Sequence, residues 1–283
     1  MQVIVHGGAG SDPDEPEPRQ AVLDEAAREG TSTATPLDAV EAALNVLEAD
    51  DRFNAGYGGA VQADGVVRTD AGVMTSDRSV GAAASMAGVR DAVSAARVVL
   101  EETPHVFVAG DHAVDLAADF GVDTGVDLLT DESEARWADA EPPEGGPKRH
   151  LQWLREVWGG HDTVGAVARS GEEFAAATST GGRWFALAGR VGDVPQVGSG
   201  FYAAPAGAAS ATGFGEDIAR VTLTRRAVRH LESGCDAQRA ADRAVAEFAE
   251  LTGGEAGLIV LDADGGAGSA FNSDGMQTGV ARE

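Results

Sequence analysis

Residues 79–87 (Ser-Val-Gly-Ala-Ala-Ala-Ser-Met-Ala) read as a strand that carries almost no side-chain bulk. A strand of this kind cannot fill a core by itself. It has to lie close against a neighbouring layer, which approaches where side chains are missing. The rest of the chain supplies such layers. Residues 2–6 (Gln-Val-Ile-Val-His) are a short apolar run stopped by Gly7-Gly8, the pattern of a buried strand and a tight turn. Residues 12–18 read as a loop and 19–29 as a helix. Thr35 is placed to N-cap the next helix, with Pro36 at its first position and Asp38 at its third. Ala39, Val40, Ala43, Leu44 and Leu47 then recur at helical spacing as far as Asp50-Asp51.

Residues 53–60 are too glycine-rich for a helix, a further strand is expected at 65–75, and helices at 90–102 and 110–120. From Asp131 to Pro147 acids, prolines and glycines replace apolar residues, so the stretch of about 131–160 reads as a flexible linker. Beyond it, strands are expected at 161–169 and 173–179, helices at about 215–232 and 236–251, and two closing strands at about 256–262 and 267–271. Strands precede helices in each half without regular βαβ alternation. An α+β layered fold in a single domain, 1–283, is therefore expected over a doubly wound parallel sheet.

Charge narrows the function classes. With 46 Asp+Glu against 21 Lys+Arg, the formal net charge is −25. That excludes nucleic-acid binding through a basic face and argues against an anionic membrane surface. All the basic side chains but Lys148 are arginine. Acid excess with almost no lysine reads as a halophilic signature, since high salt screens self-repulsion. An acidic protein from a GC-rich genome is the alternative reading. Cys235 is the single cysteine, so neither an internal disulfide nor a multi-thiolate metal site is available. No apolar run is long enough to span a membrane and the N-terminus lacks a secretory pattern, which makes a cytoplasmic location the expectation.

The chemistry-bearing segments lie mostly beyond the linker. His161-Asp162-Thr163-Val164-Gly165 starts a strand at a threonine. Thr178-Ser179-Thr180-Gly181-Gly182, Gly189-Arg190-Val191-Gly192-Asp193 and Ala211-Thr212-Gly213-Phe214-Gly215-Glu216 each set a hydroxyl or a charge beside glycines, where backbone approaches a small ligand. A phosphate loop at His6-Gly7-Gly8-Ala9-Gly10 is disfavoured because it matches neither nucleotide-binding glycine pattern. Zinc chemistry is disfavoured because His6, His105, His112, His150, His161 and His230 show no ligand spacing. A folded interaction module is the non-enzymatic alternative.

Taken in order, these segments resemble the plant-type asparaginase or isoaspartyl peptidase family, N-terminal-nucleophile hydrolases related to the glycosylasparaginases. Phe53-Asn54-Ala55-Gly56-Tyr57-Gly58, Thr69-Asp70-Ala71-Gly72-Val73-Met74, Pro104-His105-Val106 and Phe271-Asn272-Ser273-Asp274-Gly275-Met276 extend the likeness along nearly the whole chain. The resemblance implies a four-layer αββα sandwich and self-cleavage between Asp162 and Thr163, giving chains 1–162 and 163–283 that assemble as a homodimer of αβ units. It implies Thr163 as nucleophile, with Thr180 orienting it and Asn54 supporting the site. Thr212 and Gly213 match the oxyanion donors. Arg190 matches the substrate-carboxylate partner, and Asp193 with the Gly215 carbonyl the ammonium partners. No catalytic cofactor is implied. A structural Na⁺ is, held by main-chain carbonyls of Leu47, Glu48, Asp50, Phe53, Ala55 and Tyr57.

The implied substrates are L-asparagine and β-aspartyl dipeptides. Asp162 stands where many members have Gly, as in the glycosylasparaginase branch, which makes that activity the alternative. Trp184 and Phe214 are expected to narrow the mouth of the site.

Overall fold

The computed structural model describes residues 1–13, 15–157 and 163–283. In chain order the elements are β1 (Gln2–Gly10), α1 (Pro16–Thr31), α2 (Pro36–Glu48), β2 (Arg68–Thr75), β3 (Val80–Ala87), α3 (Ala92–Glu102), β4 (Phe107–Ala109), α4 (Asp111–Asp119), α5 (Asp131–Asp139) and α6 (Pro147–Val157). There follow β5 (Val164–Ser170), β6 (Glu173–Thr180), β7 (Phe201–Ala204), β8 (Gly207–Gly213), α7 (Gly215–Val221), α8 (Leu223–Glu232), α9 (Ala237–Thr252), β9 (Ala256–Asp262), β10 (Ala267–Phe271) and β11 (Gly275–Arg282). Seven strands form one sheet, β11-β1-β5-β6-β2-β3-β4, and four form a second, β10-β9-β8-β7. Among the described strands only β3 and β4 pair in parallel.

The period-2 alternation of strand side chains explains the layering. Val3, Val5, Val73, Ala166, Ala175 and Ala177 enter one core with helices α1, α2 and α3. Their neighbours Ile4, Met74, Val167, Phe174 and Ala176 enter the other, shared with the second sheet and helices α8 and α9. Two sheets face each other with helices outside both, the expected αββα arrangement. The small-residue strand behaves as its composition requires: a Cβ on Gly81 would overlap the Ala96 carbonyl of α3. On β2, a Cβ on Gly72 would overlap the Phe201 ring of the facing sheet.

The Thr35 cap forms as expected, its Oγ accepting the Asp38 N–H at 3.2 Å. Elsewhere the structure departs from the sequence reading. The first strand runs through Gly7-Gly8 to Gly10, because neighbouring strands pair along it and a bulge between His6 and Ala9 absorbs the glycines. α1 begins at Pro16, inside the expected loop, with proline at a position that needs no N–H. The expected linker carries α5 and α6. α5 has a capping box between Thr130 and Ser133, and the Trp137 ring covers Gly65. Local caps and one aromatic anchor thus outweigh a polar composition. The helix expected at 215–232 breaks at Thr222, whose φ is +53°. β4, β7, β8 and β11 fall outside the expected strands. β11 is an edge strand with little buried apolar alternation, so it leaves a weak trace in sequence. Asp162 and His161 lie outside the described residues.

Candidate active site

β5 and β6 pair antiparallel, with Val164 opposite Ser179. This sets Thr163, at the start of β5, beside Thr180, at the end of β6. Both are buried, and the Thr163 Oγ donates to the Thr180 Oγ at 3.4 Å. The Thr180 Oγ in turn accepts the Gly182 N–H at 3.0 Å. Asn54 clamps the loop after α2 onto this turn: its Nδ2 donates to the Gly182 carbonyl at 2.7 Å, and its Oδ1 accepts the Ala60 N–H at 2.8 Å. The Gly181 N–H donates to the Asn54 carbonyl at 2.9 Å. Asn54 therefore supports the two hydroxyls through backbone.

Thr212 and Gly213 close β8. The Thr212 Oγ accepts the Ala9 N–H at 3.3 Å, tying β8 to β1 across the sheets. With an acceptor site so used, its own O–H stays available to donate. Gly213 has φ +134° and backs onto the Glu255 carbonyl, which leaves no room for a side chain. Arg190, Asp193 and Gly215 come together at the start of α7, where a Cβ on Gly215 would lie 2.7 Å from the Asp193 Oδ1 and 2.9 Å from an Arg190 nitrogen.

Electrostatics here is dominated by burial. Desolvation pushes Asp193 up to about 7, against the pull of Arg190, and its Oδ2 has no partner among the described residues. Asp70, on β2 opposite Thr180, is also pushed to about 7 by burial, although the Ser85 N–H donates to its Oδ1 at 2.7 Å. Arg190 acts on both carboxyls, so Asp70 links the threonine pair to the Arg190 group. Arg190 itself is forked onto Glu216, Nε and Nη2 each 2.9 Å from a carboxylate oxygen. Burial opposes its charge, but the fork outweighs burial and lifts its pKa.

Several groups escaped the sequence reading. Asp70 and Glu216 sit inside the quoted segments, yet their roles depend on partners far away in the chain. The Glu48 side chain is buried and accepts from Ser179 Oγ at 2.5 Å and Val93 N–H at 3.0 Å. Desolvation pushes its pKa to about 8. Behind Thr163, the His6 Nε2 lies 3.0 Å from Ser210 Oγ, which lies 2.6 Å from Thr178 Oγ. Burial drives His6 down to about 3, so the ring is neutral.

The expected cation loop turns back on itself. The Leu47, Glu48, Asp50 and Phe53 carbonyls accept from the amides of Asp50, Tyr57, Phe53 and Ala55, and the Ala55 and Tyr57 carbonyls belong to the same turn. Carbonyl oxygens are the ligand type that a hard monovalent cation takes, so the chemistry of this donor set is compatible with one. No cluster of three or more His, Cys, Asp or Glu among the described residues is placed to hold a metal. A cleft of about 550 Å³ opens beside Asn54 and is walled by Trp184, whose ring lies 4.1 Å below the Arg136 guanidinium. Phe214 does not line that cleft and instead sits under Arg183. No helix among the described residues is long and apolar enough to cross a membrane.

Comparison with known proteins gives one answer along the full length. The family profile described as asparaginase matches residues 1–283. A plant-type L-asparaginase of Pyrobaculum calidifontis is 41% identical over 288 residues, covering 98% of this chain and 95% of that protein. One from Pyrococcus furiosus is 37% identical over 299 residues, covering 100% and 97%. An isoaspartyl peptidase/L-asparaginase of Danio rerio is 36% identical over 291 residues, covering 99% and 92%. Matched from end to end in this way, the chain belongs to the asparaginase family.

Proposed function

We propose that this chain is a self-processing amidohydrolase with Thr163 as its N-terminal nucleophile, acting on L-asparagine, β-aspartyl dipeptides or both. The observation that carries this reading is the buried Thr163 hydroxyl, 3.4 Å from Thr180 and at the head of β5 between the sheets. In the intact chain the Thr163 nitrogen is an amide without basicity. Cleavage after Asp162 turns it into an α-amine, which titrates near ~7.7–8.0 and can take the hydroxyl proton. Activation and processing are then one event.

Thr163 Oγ attacks the side-chain carbonyl of the aspartyl moiety. Negative charge develops on that carbonyl oxygen, where the Thr212 O–H and the Gly213 N–H are its donors. The amine passes the proton to the leaving nitrogen, and ammonia or an amino acid departs. Water then hydrolyses the β-aspartyl ester and releases aspartate. Arg190 takes the substrate α-carboxylate, while Asp193 and the Gly215 carbonyl take the α-ammonium. The Asp193 Oδ2, without a partner among the described residues, supports that assignment.

Carbonyls of Leu47, Glu48, Asp50, Phe53, Ala55 and Tyr57 would hold a Na⁺ that stiffens the loop bearing Asn54; the chemistry does not pass through it. A homodimer of αβ units in the cytoplasm, working at high salt, completes the reading, and the acidic composition supports the last point. Glycosylasparaginase activity is the second reading, favoured by Asp162 alone.

The test is intact mass and N-terminal sequencing after purification in high salt, beside Thr163→Ala. The wild type should give two chains, the smaller beginning Thr-Val-Gly-Ala. The variant should stay whole and release no ammonia from L-asparagine. An uncut wild type that hydrolyses L-asparagine at full rate would overturn the mechanism. Preference for glycosylated asparagine would select the second reading.

A further inference from the structure

We infer that Glu216 is a positioning residue for the substrate-carboxylate site: by taking the Nε–Nη2 edge of Arg190, it turns Nη1 toward the incoming carboxylate and keeps the guanidinium off Asp193. The inference rests on the proposed role of Arg190.

Three carboxyl groups compete for this one half-buried guanidinium, since Asp70, Asp193 and Glu216 all act on it. Among the described residues only Glu216 is bonded to it, through two parallel hydrogen bonds of 2.9 Å. Such a fork fixes the plane of the guanidinium as well as its place. The Gly192 α-carbon lies against one face, since a Cβ there would be 2.9 Å from both Nη1 and Nη2. With that face and the Nε–Nη2 edge taken, what remains is Nη1, which makes no hydrogen bond to any described residue. That nitrogen can meet a second carboxylate without breaking the first pair.

The fork also protects the other half of a zwitterion's site. A free guanidinium in this crowded group would swing onto Asp193, whose Oδ2 is buried without a partner among the described residues and whose Oδ1 lies beside Gly215. An internal Arg190–Asp193 pair would consume both substrate anchors at once. Arg183 is the other cation acting on Glu216, and its guanidinium is stacked on the Phe214 ring 4.6 Å away. Glu216 therefore serves specificity for substrates that carry a free α-carboxylate, and it does so through Arg190.

The decisive comparison uses processed wild type, Glu216→Gln and Glu216→Asp, with L-asparagine and its α-carboxamide analogue as substrates. Folding of each variant is checked by its thermal transition. Glu216→Gln should raise KM for L-asparagine by at least about fivefold and leave kcat within about threefold, since a bidentate ion pair becomes a single hydrogen bond to a neutral acceptor. Activity on the α-carboxamide should change little, so discrimination between the two substrates should fall by the same factor. Glu216→Asp should recover part of it. A lowered or unchanged KM for L-asparagine overturns the inference, because it would mean that Glu216 competes with substrate or is idle. Equal losses on both substrates overturn it too, as the mark of a merely structural residue. A wild type that does not prefer L-asparagine to the carboxamide would overturn the role of Arg190 and this inference with it.

Discussion

Replacing Asp193 by Asn should stabilise the protein at alkaline pH while weakening its hold on substrate. Asp193 is 4% exposed, and burial lifts its pKa from 3.8 to about 7 even with Arg190 nearby. Between those two values the native state keeps a proton that the unfolded chain has released. A carboxyl raised in this way favours the folded state fully below pH 3.8, and that contribution fades as pH rises, ending above about pH 7. Above it, the native state carries a buried charge. At 1.36 kcal/mol per pH unit, the contribution changes by about 3 kcal/mol between pH 5 and pH 8.5.

An amide keeps the carboxyl's shape and does not titrate. Thr163→Ala and Thr163→Ala/Asp193→Asn should be compared by urea unfolding at both pH values, the alanine keeping each chain in one piece. Asp70 and Glu48 are also raised by burial, but they are present in both proteins, and their desolvation, the largest cause of each shift, cancels. The advantage of the double variant should be larger at pH 8.5 by about 3 kcal/mol. An advantage of equal size at both pH values would refute the claim that burial governs this carboxyl. In processed enzyme the same Asp193→Asn change should raise KM for L-asparagine.

Two further changes probe the frame around the nucleophile. Thr180→Val keeps the side-chain shape and strips the acceptor from the Gly182 N–H, so urea unfolding should show a loss of about 1–3 kcal/mol. With Thr163 no longer oriented, kcat on L-asparagine should fall about 10²-fold, and an unchanged kcat would remove Thr180 from the site. Gly72→Ala drives a methyl into the buried Phe201 ring between the sheets. Overpacking of that kind costs about 1–3 kcal/mol, and calorimetry should record a lower Tm; an unshifted transition would mean that the two sheets are not held at this contact.

Local signals were legible where the chemistry was local. The Thr35 cap needs only residues 35–38, and β9 and β10 appear at their expected bounds because apolar runs end at turn residues. The order of the glycine-rich segments was enough to point to the family and to collect Thr163, Thr180, Asn54, Arg190, Asp193 and Thr212 as one set. Where a segment's fate depended on a distant partner, the reading failed. The stretch at 131–147 looks unable to pack, yet Trp137 reaches Gly65. β11 is weakly patterned, and it exists because β1 offers it an edge.

The residues themselves settled the bounds of β9 and β10, where α2 begins, and which hydroxyls and charges stand beside glycine. Those properties follow from periods of two and 3.6 and from backbone stereochemistry, all of which act over a few residues. Tertiary structure alone decided that Arg190 is held by Glu216, that Asp70 faces Thr180 across two strands, and that Asp193 is buried with one oxygen unpartnered among the described residues. Pairing across a sheet brings together residues far apart in sequence, and the titration of a carboxyl depends on the water and charges that the finished fold leaves around it.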